Sequence, residues 1–220
     1  HTFDVTGLSL NTQSLQKGDI FVAVQGTQKH GSEFVQNAID KGCIAVLVED
    51  RNIQCSVPSI RINHLSSYLS DLAQTFYQEA QNIKLIGVTG TNGKTSVSLF
   101  ISQLLEALNV RTGVIGTLGI SHSDNNTSNT TPDIFTIYKS LQEYSKKGIE
   151  VAVIEASSHA LTQNRLSGLV FEQAIFTNLT QDHLDYHETM EQYREAKGKL
   201  FSNGKAQTVI INRDDKNHSY

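Results

Sequence analysis

Seven residues near the middle of the chain have the types and spacing that bind phosphate. The segment TGTNGKT runs from Thr89 to Thr95. Glycines at positions 90 and 93 would let backbone N–H groups converge on an anion, and Lys94 could reach the outer phosphates of a nucleotide. The Thr95 hydroxyl could bind Mg²⁺. The general phosphate-loop pattern has glycine where this chain has Val88, but the strand-turn-helix context favours a phosphate loop over a plain turn. We therefore expect a protein that uses ATP or GTP.

A carboxylate stands at the end of a second apolar segment. The β-branched run from Val151 to Ile154 ends at Glu155. The carboxyl ends of parallel strands lie at one edge of a sheet, so Glu155 would lie on the same side as the phosphate loop. Mg²⁺ prefers hard oxygen ligands, which Glu155 and Thr95 could supply together with phosphate oxygens. The alternative is a carboxylate that caps a helix or a loop.

Two histidines and a lysine later in the chain say less by themselves. His183 and His187 lie four residues apart, but no Glu or Cys spacing around them matches a zinc site. Residue types alone therefore favour ordinary loop histidines. Lys197 lies in a helical stretch, where a lysine is normally solvated.

The apolar pattern predicts an α/β protein with two domains. Residues 1–82 would form a small α/β domain that binds substrate, with the loop at residues 26–31 at the carboxyl end of a strand. Residues 83–220 would form a mostly parallel sheet of the P-loop ATPase type. The predicted strands cover residues 20–24, 43–48, 59–62, 84–88, 112–115, 151–154, 173–176 and 208–211. The predicted helices cover residues 33–41, 65–80, 94–108, 132–147 and 190–201.

Composition argues against several classes of protein. With 220 residues, a formal charge of −4 and a hydrophobic content of 38%, the chain shows no bias toward nucleic acid or lipid. Cys43 and Cys55 lack metal-binding spacing and are predicted to be reduced thiols. We find neither a signal peptide nor an apolar run of membrane-spanning length, so we expect a cytoplasmic protein that does not insert into membranes.

The ends of the sequence suggest a fragment. The chain begins at His1 and stops soon after the predicted strand at residues 208–211. We therefore expect the second domain to be truncated and a further C-terminal domain to be absent.

Five motifs, in this order, resemble the Mur ligases. Within that family the wording is most similar to the UDP-N-acetylmuramoyl-tripeptide synthetases. The resemblance is strong over residues 85–201 and loose before them. The motifs are TGTNGKT, then NTTPD at 129–133, EASSHALTQNR at 155–165, FTNLTQDHLDYH at 176–187 and YREAKGKLF at 193–201.

The resemblance implies an ATP-dependent amide ligase of peptidoglycan synthesis. Such an enzyme phosphorylates the terminal carboxylate of UDP-N-acetylmuramoyl-L-alanyl-D-glutamate, and the amine of a diamino acid attacks the acyl phosphate. The cofactors implied are ATP and Mg²⁺, and the expected state is a monomer. The sequence leaves open whether the diamino acid is meso-diaminopimelate or L-lysine, and we expect this chain alone to ligate poorly.

The resemblance also assigns roles to residues. Catalytic roles go to Lys94, Lys197 and His183. The implied metal ligands are Thr95, Glu155, His183 and Lys197, the last as a carbamate. The implied ATP-binding residues are Gly90, Thr91, Asn92, Gly93, Lys94, Thr95, Ser96 and Asn178, with Asn178 near the adenine. The implied substrate-binding residues are Leu8, Ser9, Thr27, Gln28, Asn92, Thr130, Thr131, Ser157, Gln163 and Arg165.

Three alternatives remain open at this point. A folylpolyglutamate synthetase shares the expected fold and chemistry, but the NTTPD and SSHAL motifs would then lack a purpose. A family member that adds the dipeptide at the next step is also compatible. From a different class, the chain could be a non-catalytic module that binds a nucleotide or another protein.

Overall fold

The chain folds into two compact units. A computed structural model describes residues 4–123, 129–202 and 204–217. The first unit is His1–Tyr77 and the second is Gln78–Tyr220. This division lies one short helix before the boundary expected after residue 82, because the 3₁₀ helix Gln78–Asn82 belongs to the second unit.

The first unit contains a four-stranded parallel sheet. Its strands lie in the order β1-β2-β3-β4, and its buried core includes Phe21, Ala38 and Val46. Cys43 and Cys55 are free thiols, as predicted, and burial raises the pKa of Cys43. The elements are β1 (Leu8–Ser9), β2 (Ile20–Ala23), α1 (Val35–Asp40), β3 (Ala45–Glu49), β4 (Ser59–Ile62) and α2 (Leu69–Phe76).

Both predicted helices of this unit are shorter in the structure. The first turn predicted for α1 is the 3₁₀ helix Gly31–Phe34, whose start is capped by His30. The single helix predicted over residues 65–80 is wrong. A 3₁₀ helix at Leu65–Tyr68 precedes α2, and α2 stops at Tyr77, which has φ −105° and ψ 58°. Tyr77 leaves the helix because its ring is buried and its hydroxyl accepts a hydrogen bond from the Leu8 N–H at 3.0 Å.

The second unit is built on a six-stranded sheet. The strand order is β10-β9-β5-β8-β6-β7, and every neighbouring pair is parallel except β6 and β7. The mostly parallel sheet expected from the sequence is therefore confirmed. The elements are β5 (Lys84–Thr89), α3 (Lys94–Ala107), β6 (Thr112–Gly116), β7 (Gly119–Ile120), α4 (Ile134–Lys146), β8 (Val151–Glu155), α5 (Ser158–Thr162), β9 (Phe171–Phe176), α6 (Leu184–His187), α7 (Met190–Gly198) and β10 (Ala206–Ile211).

The central strand β5 packs tightly on both faces. Val88 lies in a cluster with residues of α3, including Val97 and Ile101. On the opposite face a Cβ at Gly87 would lie 3.0 Å from the Phe171 ring, so glycine permits that close approach. This packing fixes the end of β5, and with it the start of the phosphate loop.

Two helices of this unit differ in their bounds from the prediction. The helix predicted from Pro132 begins at Ile134, because the Asp133 carboxylate accepts hydrogen bonds from the N–H groups of Phe135 and Thr136. The helix predicted over residues 190–201 ends at Gly198. The short elements β1, β7, α5 and α6 were not predicted. Within the described residues, no helix is long and apolar enough to cross a membrane.

Candidate nucleotide-binding site

The phosphate loop lies between β5 and α3 at the carboxyl edge of the six-stranded sheet. Gly90 has φ 149°, and a Cβ there would lie 1.9 Å from the Thr177 hydroxyl oxygen. Gly93 has φ 84° at the N-cap of α3, and no side chain caps that helix. The N–H groups at the start of α3 are therefore free to receive an anion. A loop that needs glycine at both places and leaves a helix end open suits a phosphate.

The segment after β9 holds this loop in place. The Thr91 N–H donates to the Asn178 carbonyl at 2.9 Å, and the Asn92 N–H donates to the Asn178 side-chain oxygen at 3.0 Å. The Asn178 amide nitrogen donates back to the Asn92 carbonyl at 3.0 Å, and the Thr177 hydroxyl donates to the same carbonyl at 2.7 Å. Asn178 thus fixes the loop, and its expected place near an adenine stays a prediction.

Two lysines converge on the loop. Lys94 Nζ donates to the carbonyls of Gly90 and Thr91, both at 2.9 Å. Lys197 Nζ donates to the Gly90 carbonyl at 2.8 Å and lies 4.4 Å from the centre of the Tyr193 ring. Lys197 is only 1% exposed. The helical pattern alone predicted that Lys197 is solvated, and that prediction is wrong.

Burial changes the charge of this pair. Burial, and to a smaller extent the positive charge of Lys94, lowers the pKa of Lys197 to about 7, against the opposing effect of Asp182. Burial also lowers the pKa of Lys94, against the carboxylates of Glu155 and Asp182. A lysine with a pKa near 7 is uncharged for much of the time at neutral pH, which leaves its amine able to react.

Glu155 and Thr95 lie together beside the loop. Glu155 is 1% exposed at the end of β8. Its Oε2 accepts from the Thr95 hydroxyl at 2.9 Å and lies 3.1 Å from the Thr117 hydroxyl, while its Oε1 accepts from the Thr117 N–H at 3.0 Å. The carboxylate predicted from the sequence therefore faces the phosphate loop.

The donor set fits Mg²⁺ rather than a metal that needs a protein cage. Within the described residues, no three or more His, Cys, Asp or Glu side chains form a group that could hold a metal ion. One carboxylate and one hydroxyl are what the chain offers at Glu155 and Thr95. Mg²⁺ is commonly bound by one or two carboxylates, with phosphate oxygens and waters completing its octahedron.

His183 lies in a neighbouring cluster of aromatic rings. Its ring centre is 5.0 Å from that of His159 and 6.1 Å from that of Tyr193, and its side chain is 47% exposed. The ring of His187 lies 5.1 Å from Tyr193, and its Nε2 is 2.9 Å from the Ser158 hydroxyl. The described hydrogen bonds do not join His183 to Glu155 or Thr95. The role of His183 as a metal ligand stays a prediction.

The residues expected to bind the muramoyl dipeptide do come together. The Thr131 hydroxyl donates to the Glu155 carbonyl at 2.5 Å and accepts from the Ser157 N–H at 3.1 Å. Arg165 Nη1 donates to the Thr131 carbonyl at 2.6 Å, and Arg165 Nε donates to Gln163 Oε1 at 3.0 Å. Thr130 also lies near this group, 3.1 Å from the Thr117 hydroxyl. Their role toward a substrate stays a prediction.

The expected contacts of the first unit are of two kinds. Leu8 and Ser9 are buried in β1, and the Ser9 hydroxyl donates to the Asn11 carbonyl at 2.8 Å. Thr27 and Gln28 are exposed in the loop after β2. Thr27 and Gln28 are thus accessible to solvent, whereas the Ser9 hydroxyl is bonded within a turn. The roles of all four residues in binding substrate stay predictions.

Three residues of the site were missed from the sequence. Thr117 binds both oxygens of Glu155, Asp182 is a negative charge near both lysines, and the Tyr193 hydroxyl lies 3.2 Å from that of Thr91. Thr117 follows the predicted strand at residues 112–115. The rule that identified Glu155, a polar residue at the carboxyl end of a strand, would have found it.

The fold and the site define the class of protein. A phosphate loop at the carboxyl edge of a parallel sheet, followed by an uncapped helix and two convergent lysines, is typical of nucleotide-binding α/β proteins. Two family models match this chain: the Mur ligase middle domain over residues 88–220, and the Mur ligase family, catalytic domain, over residues 4–77. The chain belongs to the Mur ligase family.

Individual relatives agree with this assignment. A Bacillus velezensis protein named UDP-N-acetylmuramoyl-L-alanyl-D-glutamate–2,6-diaminopimelate ligase is 37% identical over 230 residues, which cover 100% of this chain and 47% of that protein. A solved structure of a ligase with the same name is 34% identical with a TM-score of 0.78, and the match covers 96% of this chain and 44% of the other. The chain thus spans about half the length of these relatives.

A folylpolyglutamate synthase is a weaker match. The Mycobacterium tuberculosis enzyme complexed with ADP is 18% identical with a TM-score of 0.52, and the match covers 72% of this chain and 42% of that one. At this identity the likeness shows a shared fold only.

Proposed function

We propose that this chain is part of an ATP-dependent amide ligase of peptidoglycan precursor synthesis. The enzyme would add 2,6-diaminopimelate to UDP-N-acetylmuramoyl-L-alanyl-D-glutamate, would act as a monomer and would work in the cytoplasm. The observation that carries the proposal is the convergence of Lys94 and Lys197 on the phosphate loop, beside the Thr95–Glu155 pair. The names of the relatives support the substrates.

The residues of the loop suit the activation of a carboxylate by phosphorylation. A carboxylate is a poor electrophile, and its acyl phosphate has a leaving group that an amine can displace. The start of α3 would hold the phosphates of ATP through its backbone N–H groups. Lys94 would exchange its bonds to the carbonyls of Gly90 and Thr91 for bonds to phosphate oxygens. Gly93 keeps that end of the helix open.

Thr95 and Glu155 would hold Mg²⁺. The bound ion would supply positive charge that offsets the charge developing on the phosphoryl oxygens. Glu155 is well suited to a fixed position because three donors from Thr95 and Thr117 already surround its oxygens. His183, whose ring centre lies 5.0 Å from that of His159, would be a further ligand.

Lys197 would act as a carbamate. Its burial, its place beside the Gly90 carbonyl and its lowered pKa favour the neutral amine that reacts with carbon dioxide. The product carries a negative charge and two oxygens. It would therefore pair with Lys94 and add an oxygen ligand near the phosphates, where an ammonium group would repel a cation.

The group around Thr131 and Arg165 would hold the muramoyl dipeptide. The planar guanidinium suits a carboxylate or phosphate, although its donors now bond to Thr131 and Gln163. Binding of the dipeptide would therefore exchange those bonds. Leu8, Ser9, Thr27 and Gln28 of the first unit would receive the uridine diphosphate end.

The test is phosphate release by the protein that carries this chain at the length of its relatives. We would supply ATP, Mg²⁺ and UDP-N-acetylmuramoyl-L-alanyl-D-glutamate, and add meso-diaminopimelate or L-lysine in turn. We expect release that needs both the muramoyl substrate and meso-diaminopimelate, and that is lost in Lys94→Ala. Lys84→Ala is the matched control, because Lys84 is exposed at the other end of β5.

The other outcomes separate the alternatives. Phosphate release only with L-lysine would show that the amino-acid substrate is L-lysine and not meso-diaminopimelate. Release with a folate substrate and glutamate instead would favour a folylpolyglutamate synthetase. Binding of MgATP without release under any of these conditions would favour a non-catalytic module.

A further inference from the structure

The side chain of Thr117 joins two parts of the site. Its backbone N–H donates to Glu155 Oε1 at 3.0 Å. Its hydroxyl oxygen lies 3.1 Å from Glu155 Oε2 and 3.1 Å from the Thr130 hydroxyl oxygen. One residue therefore contacts both the carboxylate assigned to Mg²⁺ and a threonine assigned to the muramoyl substrate.

The direction of these hydrogen bonds follows from counting protons. The Thr117 hydroxyl has one proton and two neighbouring oxygens, and a carboxylate can only accept. The Thr117 proton therefore belongs to Glu155, in the stronger charge-assisted bond. The Thr130 hydroxyl oxygen is the second acceptor within reach of the same Thr117 proton. One hydroxyl group, that of Thr117, therefore connects Thr130 to Glu155.

The backbone next to Thr117 is shaped for the same carboxylate. A Cβ at Gly116 would lie 2.1 Å from Glu155 Oε1, so only glycine allows the two to approach this closely. The Thr95 hydroxyl reaches Glu155 Oε2 from α3. Glu155 is thus held by donors from Thr117, directly after β6, and from Thr95, at the start of α3.

We propose that Thr117 is a positioning residue that fixes the plane of the Glu155 carboxylate and couples it to Thr130. The inference rests on the proposed function, in which Glu155 holds Mg²⁺ and Thr130 contacts the substrate. Without the Thr117 hydroxyl, Oε2 keeps only the Thr95 donor and Oε1 keeps the Thr117 N–H, so the carboxylate plane is held less firmly. Mg²⁺ demands near-ideal octahedral geometry, so a mobile ligand binds it less well.

Coupling between two binding events is reciprocal. If Thr130 transmits occupancy of the substrate position through Thr117, the muramoyl substrate tightens Mg²⁺ binding and Mg²⁺ tightens substrate binding by the same factor. A residue that served only the stability of the fold would not produce this linkage. The linkage is therefore the property to measure.

The test compares two substitutions of Thr117 with a matched control. Thr117→Val keeps the shape and the backbone donor but removes the hydroxyl, and Thr117→Ser restores it. Thr112→Val is the control, since Thr112 lies at the other end of β6 and its hydroxyl donates to the Val110 carbonyl. The first readout is binding of a fluorescent ATP analogue as Mg²⁺ is varied, with thermal unfolding to confirm the fold.

We expect Thr117→Val to raise the apparent Mg²⁺ dissociation constant about tenfold, because a hydrogen bond to a charged group is lost. Thr117→Ser should stay within about threefold of the natural protein, and Thr112→Val should match it. The muramoyl substrate should tighten Mg²⁺ binding in the natural protein but not in Thr117→Val. Thr130→Val, which removes the hydroxyl that pairs with Thr117, should also lose that effect.

The outcomes distinguish this inference from the proposed function. Equal Mg²⁺ dependence in the natural protein and Thr117→Val overturns the positioning role, whatever the ligase activity. Equal loss in the serine and valine variants also overturns it, because the hydroxyl then does not matter. If the Thr117 variants show the expected differences in Mg²⁺ dissociation constant but the protein forms no amide product, the proposed function is wrong and the positioning role of Thr117 is retained.

Discussion

In the six-stranded sheet, the loops that follow β5, β6, β8 and β9 are tied to one another, whereas the loop after β2 in the four-stranded sheet is exposed. Asn178 and Thr177 bind the phosphate loop, and Thr117 binds Glu155. Thr27 and Gln28 lie exposed at the surface. The carboxyl edge of the six-stranded sheet is therefore preorganised before any ligand arrives. Its residues act together, so single substitutions there should have large effects on activity.

The largest expected effect on activity comes from substitution of Lys94. Lys94→Met should lower the turnover number of the proposed ligase by about 10³-fold or more, because the charge that would stabilise the transferred phosphoryl group is lost. Steady-state phosphate release measures it. Lys84→Met, on an exposed residue at the start of β5, should change turnover little. Similar losses in both variants would contradict a specific role for Lys94.

The glycines of the loop should differ in their effect on stability. Gly90→Ala would force a Cβ against Thr177 at 1.9 Å as well as an unfavourable φ, so we expect a loss of about 2–4 kcal/mol in the free energy of unfolding. A Cβ at Gly93 meets no atom within 4 Å, so Gly93→Ala should cost only the strain of its left-handed φ, about 1 kcal/mol. Urea unfolding of both variants compares them, and equal costs would show that the Thr177 contact yields freely.

Lys197 should show opposite effects on stability and on activity. Its pKa of about 7 in the folded chain lies below the ordinary 10.5, so a protonated Lys197 is a cost that is fully present below pH 7 and disappears as pH rises toward 10.5. Lys197→Met should therefore raise the free energy of unfolding by about 1–3 kcal/mol at pH 6.5 and by less at pH 9.

The experiment needs buffers free of bicarbonate, so that Lys197 of the natural protein stays an amine. The same variant should lose ligase turnover at every pH. A gain in stability that grew with pH would contradict the burial cost assigned to Lys197. Retained turnover would contradict its catalytic role.

Within the first unit, residues at the base of the loop after β2 should contribute more to stability than residues at its tip. Glu49 is buried and accepts from the N–H of Gln25 and from Ser66. Burial alone would raise the pKa of Glu49, but these hydrogen bonds and the charge of His30 lower it overall. Its contribution is thus present above about pH 4.5, the ordinary pKa, and is lost in more acid solution.

Glu49→Gln should cost about 1–2 kcal/mol at pH 7, and the difference should shrink below pH 4. Thermal unfolding over a pH series checks it, and a cost that did not depend on pH would contradict the charge-based explanation.

The smallest expected effect is at the exposed tip. Thr27→Ala should change the free energy of unfolding by less than about 0.5 kcal/mol. Its effect on the proposed UDP-substrate should be seen in KM and not in the turnover number. A drop in turnover without a change in KM would show that the exposed loop belongs to the organised part of the site, and would remove the contrast between the two edges.

The sequence predicted the site well where a residue's place follows from strand and loop order. Glu155 and Thr95 were expected at one edge of the sheet from the apolar runs before them, and they lie 2.9 Å apart. The phosphate loop was recognised despite Val88, because its glycines are demanded by the backbone. These features are local, and the periodicity of the chain reveals them.

What sequence reasoning missed depends on tertiary packing. The burial of Lys197 follows from the way α7 packs against the phosphate loop, and a helical pattern alone cannot tell a buried lysine from a solvated one. The break at Tyr77 depends on a hydrogen bond to Leu8, which lies 69 positions away in the chain. The His159–His183 contact likewise joins α5 to the start of α6.

The most direct measurement follows an oxygen atom. The muramoyl substrate would be labelled with ¹⁸O in the terminal D-glutamate carboxylate, and the phosphate released during ligation would be analysed by mass spectrometry. If the carboxylate is activated as an acyl phosphate at this loop, one labelled oxygen passes into each phosphate. Amide formation with unlabelled phosphate would contradict the account.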